Sequence, residues 1–174
     1  MSLLKTPPGR CSFPHLFEPS RFENQKPKYS VGLCFPPREE MNAAAAKAYD
    51  EMERRVEDLR AQKFKEKKFG VHIRSPFETI TEDNASGRPI GWTSAKFKSF
   101  TRPDIFDSDA TPLTDPTRIY GGCWLVAVWT LYSYDVSGNK GIGLGLTAAQ
   151  FVKNDEAFGV GSTKITKADL EIYT

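Results

Sequence analysis

Cysteine is scarce in this sequence. Cys11, Cys34 and Cys123 are the only three in 174 residues, too widely spaced for a disulfide framework and without a CxxC pair. That usage fits a reducing compartment. Histidine is scarcer still: neither His15 nor His72 stands at helical spacing from a second ligand, so no metal site is expected. No run of about 18 apolar residues occurs, which excludes a membrane-spanning helix of ordinary length. The first residues, from Met1 to Lys5, lack the apolar stretch of a secretory signal. Neither GxGxxG nor GxxxxGKS/T is present, so the common nucleotide cradles are absent. An excess of one charge is missing too. Lys and Arg number 24 against 22 Asp and Glu, a formal charge of +2, far below the footprint of a duplex binder.

What is present describes one soluble domain spanning residues 1–174, with 39% hydrophobic and 26% charged residues. The small net charge is an average over unlike segments. Residues 1–37 carry five bases and two acids, and residues 69–103 carry five bases and three acids. Residues 104–119 hold four aspartates against one arginine. The basic segments also contain aromatic residues, a combination that suits nucleic acid better than the total suggests.

Residues 38–68 contain no Pro or Gly, and Met41, Ala45, Ala48, Met52, Val56 and Leu59 recur at steps of three and four. This pattern predicts one long amphipathic helix laid against a β-structure. Short β-type runs are expected over residues 10–17 and 28–35, another over 92–100, and the strongest over 119–136. Residues 75–91 and 103–118 read as loops. Residues 137–141 form a turn, followed over 142–152 by a glycine-interrupted strand or short helix. The chain is therefore mainly β with one inserted helix, and residues 160–174 form a C-terminal tail.

Alternation places Trp92, Lys96, Lys98 and Phe100 on one strand face and Thr93, Ala95, Phe97 and Ser99 on the other. Two lysines between two aromatics do not make a dry core. They suit single-stranded nucleic acid, with ammonium groups on phosphates and rings on bases. In the long strand Tyr120, Trp124, Tyr132 and Tyr134 share a face opposite an apolar set of Ile119, Cys123, Leu125, Ala127, Trp129 and Leu131. Gly141, Gly143 and Gly145 alternate, so one side of that strand admits close approach by another group. Catalytic signals are thin. The aspartates between Asp104 and Asp115 would be the metal-binding loop of a nuclease, the alternative enzymatic reading, but they lack calcium-loop spacing. A third reading makes the long helix a protein-docking element.

Several blocks in order carry a resemblance. Thr6-Pro-Pro-Gly-Arg-Cys-Ser-Phe-Pro-His-Leu-Phe-Glu-Pro19 and Lys28-Tyr-Ser-Val-Gly-Leu-Cys-Phe-Pro36 are followed by Arg102-Pro-Asp-Ile-Phe-Asp107 and Ile119-Tyr-Gly-Gly-Cys-Trp124. Tyr132-Ser-Tyr-Asp135, Gly138-Asn-Lys-Gly-Ile142 and Gly145-Leu-Thr-Ala-Ala-Gln150 complete the set. Together they resemble the single-stranded DNA-binding proteins of tailed phages. The resemblance implies an OB-like five-stranded barrel with one long inserted amphipathic helix, without catalysis, cofactor or metal. It implies single-stranded DNA as the partner, in phage replication and recombination within the host cytoplasm, with phage replication proteins or a second copy as further partners. The blocks carry Arg10, Phe13, Tyr120, Trp124, Tyr132, Tyr134 and Lys140 as DNA-binding residues; Trp92, Lys96, Lys98 and Phe100 rest on alternation alone. Family members often end in an acidic tail, whereas this sequence closes on Lys167-Ala-Asp169-Leu-Glu171-Ile-Tyr-Thr174, so either the tail is cut short or partners are recruited differently.

Overall fold

Alternation is realised between the bulges that interrupt the strands. A computed structural model describes residues 3–21, 23–159 and 173. Strands β1 (Gly9–Ser20) and β2 (Lys28–Phe35) pair antiparallel, and β2 buries Val31, Leu33 and Phe35 on its inner side. After helix α1 (Ala43–Phe64) come two short strands, β3 (Ile73–Arg74) and β4 (Phe77–Thr79), then β5 (Thr93–Ser99), which buries Ala95 and Phe97. Strand β6 (Asp104–Phe106) precedes the long hairpin of β7 (Trp124–Val136) and β8 (Asn139–Lys153). That hairpin turns on Ser137 and Gly138, both at positive φ. Positive φ at both turn residues is what a two-residue loop of matching twist requires.

The pairings close on themselves. β8 pairs β7, β7 pairs β1, β1 pairs β2 and β2 pairs β5. β5 then returns to β8 in parallel through Phe97↔Leu144 and Lys98↔Gly145. The result is a mainly β protein whose five longest strands form a closed ring, with β3 and β6 attached to β8 and β4 attached to β5. Closure shortens the edges that an open sheet would have to protect. Inside it lie Cys11, Leu33, Phe97, Leu125, Trp129, Leu144 and Phe151. The register passes from Val128↔Ala148 to Trp129↔Leu146, so Thr147 is an extra residue on β8. This bulge switches the inward set from Leu144 and Leu146 to Ala149 and Phe151.

The helix is shorter than its sequence pattern. A 3-10 turn over Arg38–Glu40 comes first, Met41 is extended, and the Asn42 side chain accepts from Ala45 N at 2.8 Å as N-cap. At the far end Lys65 adopts φ 54°, and the Arg60 guanidinium donates to Lys65 O and Lys67 O. Capping thus trims the expected 38–68 to 22 residues, about 33 Å of helix. Met52 and Val56 enter the core, and Tyr49 meets Phe35 with ring centroids 5.9 Å apart. The basic run of Lys63, Lys65, Lys67 and Lys68 mostly follows the helix instead of lying on it.

Two further differences have local causes, and one open alternative is decided. The strand expected from Ile119 starts at Trp124, because Gly121 and Gly122 (φ 118°) turn the chain. The segment after the hairpin is entirely strand. The two expected loops contain β4, β6 and a 3-10 turn over Pro116–Arg118, elements too short to show periodicity. Most of the tail expected over 160–174 lies outside the described residues.

Candidate nucleic-acid interface

The outer side of the ring has a floor of small residues. Register aligns Trp124 of β7, Arg10 of β1, Cys34 of β2 and Ser94 of β5 in one row. The next row runs Ser12, Gly32 and Lys96, and Ser30 faces Lys98 beyond it. A side chain at Gly32 would collide with the Ser12 hydroxyl. Ser12, Ser30 and Cys34 are buried even though they face away from the core, because larger side chains rise around them.

Those larger side chains are aromatic and cationic. Trp92 and Trp124 approach with ring centroids 6.2 Å apart at 51°. Phe13 stands at φ 46° where the β1–β2 register shifts, and its ring is 60% exposed. A bulky residue in that conformation carries strain of about 1–3 kcal/mol, held here by a bulge that turns the ring outward. The Arg88 guanidinium lies 5.8 Å from the Phe13 ring and donates to Ser94 Oγ at 3.0 Å. Lys96 is exposed and Lys98 half-buried. Burial, followed by the charges of Lys28 and Lys96, holds the Lys98 ammonium below its usual pKa. Phe100 is 61% exposed, with Lys26 Nζ 5.0 Å from its ring. Among the described residues, Lys26, Lys28, Lys96 and Lys98 form no ion pair.

Ring closure carries this surface onto the hairpin, since Lys98 is the register partner of Gly145. Cross-strand pairs Thr130↔Gly145, Tyr132↔Gly143 and Tyr134↔Gly141 explain the alternating glycines. A Cβ at Gly143 would strike the Tyr132 ring, and one at Gly141 would come within 2.6 Å of Tyr134 Oη. The bare β8 backbone is therefore a seat on which both tyrosine rings lie, 6.4 Å apart at 47°. Burial, then the neighbouring Tyr134, raises the Tyr132 phenol, whose residue remains 40% exposed. Lys140 lies 4.0 Å from Asp135 at the hairpin end.

Arg10, Tyr120 and Trp124 meet the chain's own residues 154–158. The Tyr120 hydroxyl accepts from Asp155 N and donates to Asp155 O. Trp124 Nε1 donates to Asp155 Oδ2 at 2.8 Å. Arg10 donates to Gly122 O and Glu156 O, lies 3.6 Å from Asp155, and stacks 4.4 Å from the Phe158 ring. Sequence pattern offered no sign of Asp155, Phe158 or Arg88, whose roles exist only through tertiary contact. A different neighbour covers the middle of β7, where Lys5 bridges Val128 and Thr6 N donates to Ala127 O.

Three of the four aspartates of the acidic segment are internally committed. Arg118 forks onto Asp107 at 3.0 and 3.1 Å, Asp109 accepts from Thr111, and Asp115 caps the 3-10 turn through Thr117 N. Among the described residues no three His, Cys, Asp or Glu side chains group as metal ligands, and no helix is long and apolar enough to cross a membrane. Several outward charges of α1 are likewise committed: Asp50 to Arg38 of the preceding 3-10 turn, Arg54 to Glu51 and Asp58, and Arg55 to Glu51.

A closed ring of strands carries aromatic rings and, among the described residues, lysines without ion pairs over a small-residue floor, and comparison with known proteins places the chain among the phage single-stranded DNA-binding proteins. The sequence profile of the family described as "Enterobacter phage Enc34, ssDNA-binding protein" matches residues 3–171, and this chain belongs to that family. The structure of the single-stranded DNA-binding protein from bacteriophage Enc34 in complex with ssDNA is 27% identical, with a TM-score of 0.69 over 89% of this chain and 88% of that one. A C-terminally truncated form of the Enc34 protein is 24% identical, with a TM-score of 0.70 over 88% and 87% of the two chains. Likeness in fold alone extends to gp2.5, a single-stranded DNA-binding protein of bacteriophage T7, at 14% identity and TM-score 0.63 over 95% and 99%. No curated protein sequence matches this chain.

Proposed function

We propose that this protein binds single-stranded DNA with little sequence preference, during phage replication and recombination in the host cytoplasm, and without catalysing a reaction. The observation that carries the proposal is one continuous outer surface. It runs from the Trp92–Trp124 pair across Lys96 and Lys98 to Tyr132 and Tyr134. Bases of any identity stack on aromatic faces, while lysines neutralise phosphates. The ring reads as an OB-like five-stranded barrel, a fold that binds oligonucleotides on a sheet face and between loops. Phe13, Trp92, Trp124, Phe100, Tyr132 and Tyr134 supply stacking in this reading, and Lys96, Lys98 and Lys140, with the neighbouring Lys26 and Lys28, supply charge. Arg10 and Tyr120 support the same site by holding residues 154–158 beside Trp124.

Titration with oligo-dT while following tryptophan fluorescence tests this. Quenching at low salt and much weaker binding to duplex are expected. With Lys26, Lys28, Lys96, Lys98 and Lys140 each neutralising one phosphate, log Kobs against log salt falls with a slope of about −3.5. A flat salt response, or equal affinity for duplex, overturns the reading.

A further inference from the structure

Asp155 is a carboxylate placed against the aromatic and cationic surface, and its contacts are specific. Its Oδ2 accepts the indole N–H of Trp124 at 2.8 Å and lies 3.6 Å from Arg10 Nε. Its Oδ1 accepts from Glu156 N at 2.7 Å. Its backbone N–H and C=O are both engaged by the Tyr120 hydroxyl. The carboxylate is thus fixed from behind and aimed at the edge of one indole. That indole meets Trp92 at 6.2 Å and carries Lys153 Nζ 5.2 Å from its centroid. An indole bonded at its N–H cannot flip about its broad outer torsion without losing a charge-assisted hydrogen bond. The Trp124 N–H first, then the Glu156 N–H, and then Arg10 and Lys153 hold the Asp155 carboxyl below its usual pKa. It is ionised at neutral pH and has local partners for its charge.

We infer that Asp155 is a positioning residue of the interface: it fixes the Trp124 indole against Trp92, and so builds the station on which a base stacks. The inference rests on the proposed single-stranded DNA binding. It also makes a choice of sign. A carboxylate that merely repelled phosphate, or occupied a place meant for it, would weaken binding by its presence. A positioning carboxylate strengthens binding by its presence, because the ring is already ordered when the base arrives.

The test is affinity for oligo-dT at fixed salt, measured on wild type, D155A, D155N, W124F and the D155A/W124F double variant, with thermal melts alongside. D155A is expected to bind about threefold to tenfold more weakly, a fraction of the stacking worth of one base. D155N keeps an acceptor oxygen for the indole and recovers most of that loss. W124F keeps a ring but has no N–H, so adding D155A to it brings no further loss. Unchanged or tighter binding by D155A overturns the inference, as does equal weakening by D155N and D155A. Full additivity with W124F also overturns it. A wild-type protein that fails to bind oligo-dT sinks the functional reading itself, a result distinct from all of these.

Discussion

The glycine seat beneath the hairpin tyrosines makes the most demanding prediction. In Gly143→Ala the new Cβ strikes Tyr132 at Cζ, Cε2 and Oη, and because Gly143 has an ordinary φ the ring must move, not the backbone. Forcing an extra methyl into a filled contact costs about 1–3 kcal/mol. The partly exposed Tyr132 ring can swing toward solvent, which places the cost at the low end. Alanine also lowers the entropy lost by glycine in a strand, a gain of about 0.5–1 kcal/mol. The net change in stability is therefore at most about 1 kcal/mol destabilising, a shift of a few degrees in melting temperature for a chain this size. Binding responds more strongly. A displaced ring forfeits stacking worth about 1–3 kcal/mol per base, which at 1.4 kcal/mol per decade is about fivefold to 140-fold in affinity. Fluorescence anisotropy of a labelled oligo-dT measures the loss, and a thermal melt confirms the fold. Tyr132→Ala should lose a similar amount, and the double variant no more than either. Wild-type affinity in Gly143→Ala, alongside a clear loss in Tyr132→Ala, refutes the seat.

Replacing Lys96 or Lys98 with Ala should each reduce the magnitude of the salt slope by about 0.7, read from titrations at several salt concentrations. Lys98 also predicts a pH signature. Its folded pKa is depressed, so in the alkaline window between that value and the unfolded one the unfolded chain binds more protons. Stability contributed at this site therefore rises with pH across that window, and Lys98→Met should lack the rise in urea melts. Asn42→Ala removes the side-chain cap of α1 and should cost about 1 kcal/mol, with Asn42→Ser close to wild type. Urea denaturation checks this, and DNA affinity should not change.

Much of the fold is legible wherever a strand is half-buried. Val31, Leu33 and Phe35 alternate with small outer residues, as Leu125, Ala127 and Trp129 alternate with Trp124, Val126 and Val128. Length and period suffice there. They fail at the start of α1, because residues 38–41 are charged or apolar in a helix-compatible pattern and only the backbone choice at Asn42 begins the helix. They fail for β3, β4 and β6, whose two or three residues hold no full period. Closure of the ring depends on Phe97 meeting Leu144, a pairing 47 positions apart that no local signal encodes. The candidate surface divides in the same way. Trp92, Lys96, Lys98 and Phe100 follow from alternation, and the tyrosines follow from the same rule. That Gly143 lies under Tyr132 needs the register of the hairpin, and that Asp155 meets Trp124 needs the path of the chain after β8. Arg10, which the resemblance carries as a DNA-binding residue, is committed by folding to Gly122, Glu156 and Phe158.

A crystal structure of the protein with a short oligo-dT tests the central claim most directly. The account predicts bases stacked at Trp92 and Tyr132, phosphates near Lys96 and Lys98, and the strand lying along the outer side of the ring. A strand bound instead along α1, or at the 104–118 loop, would contradict it.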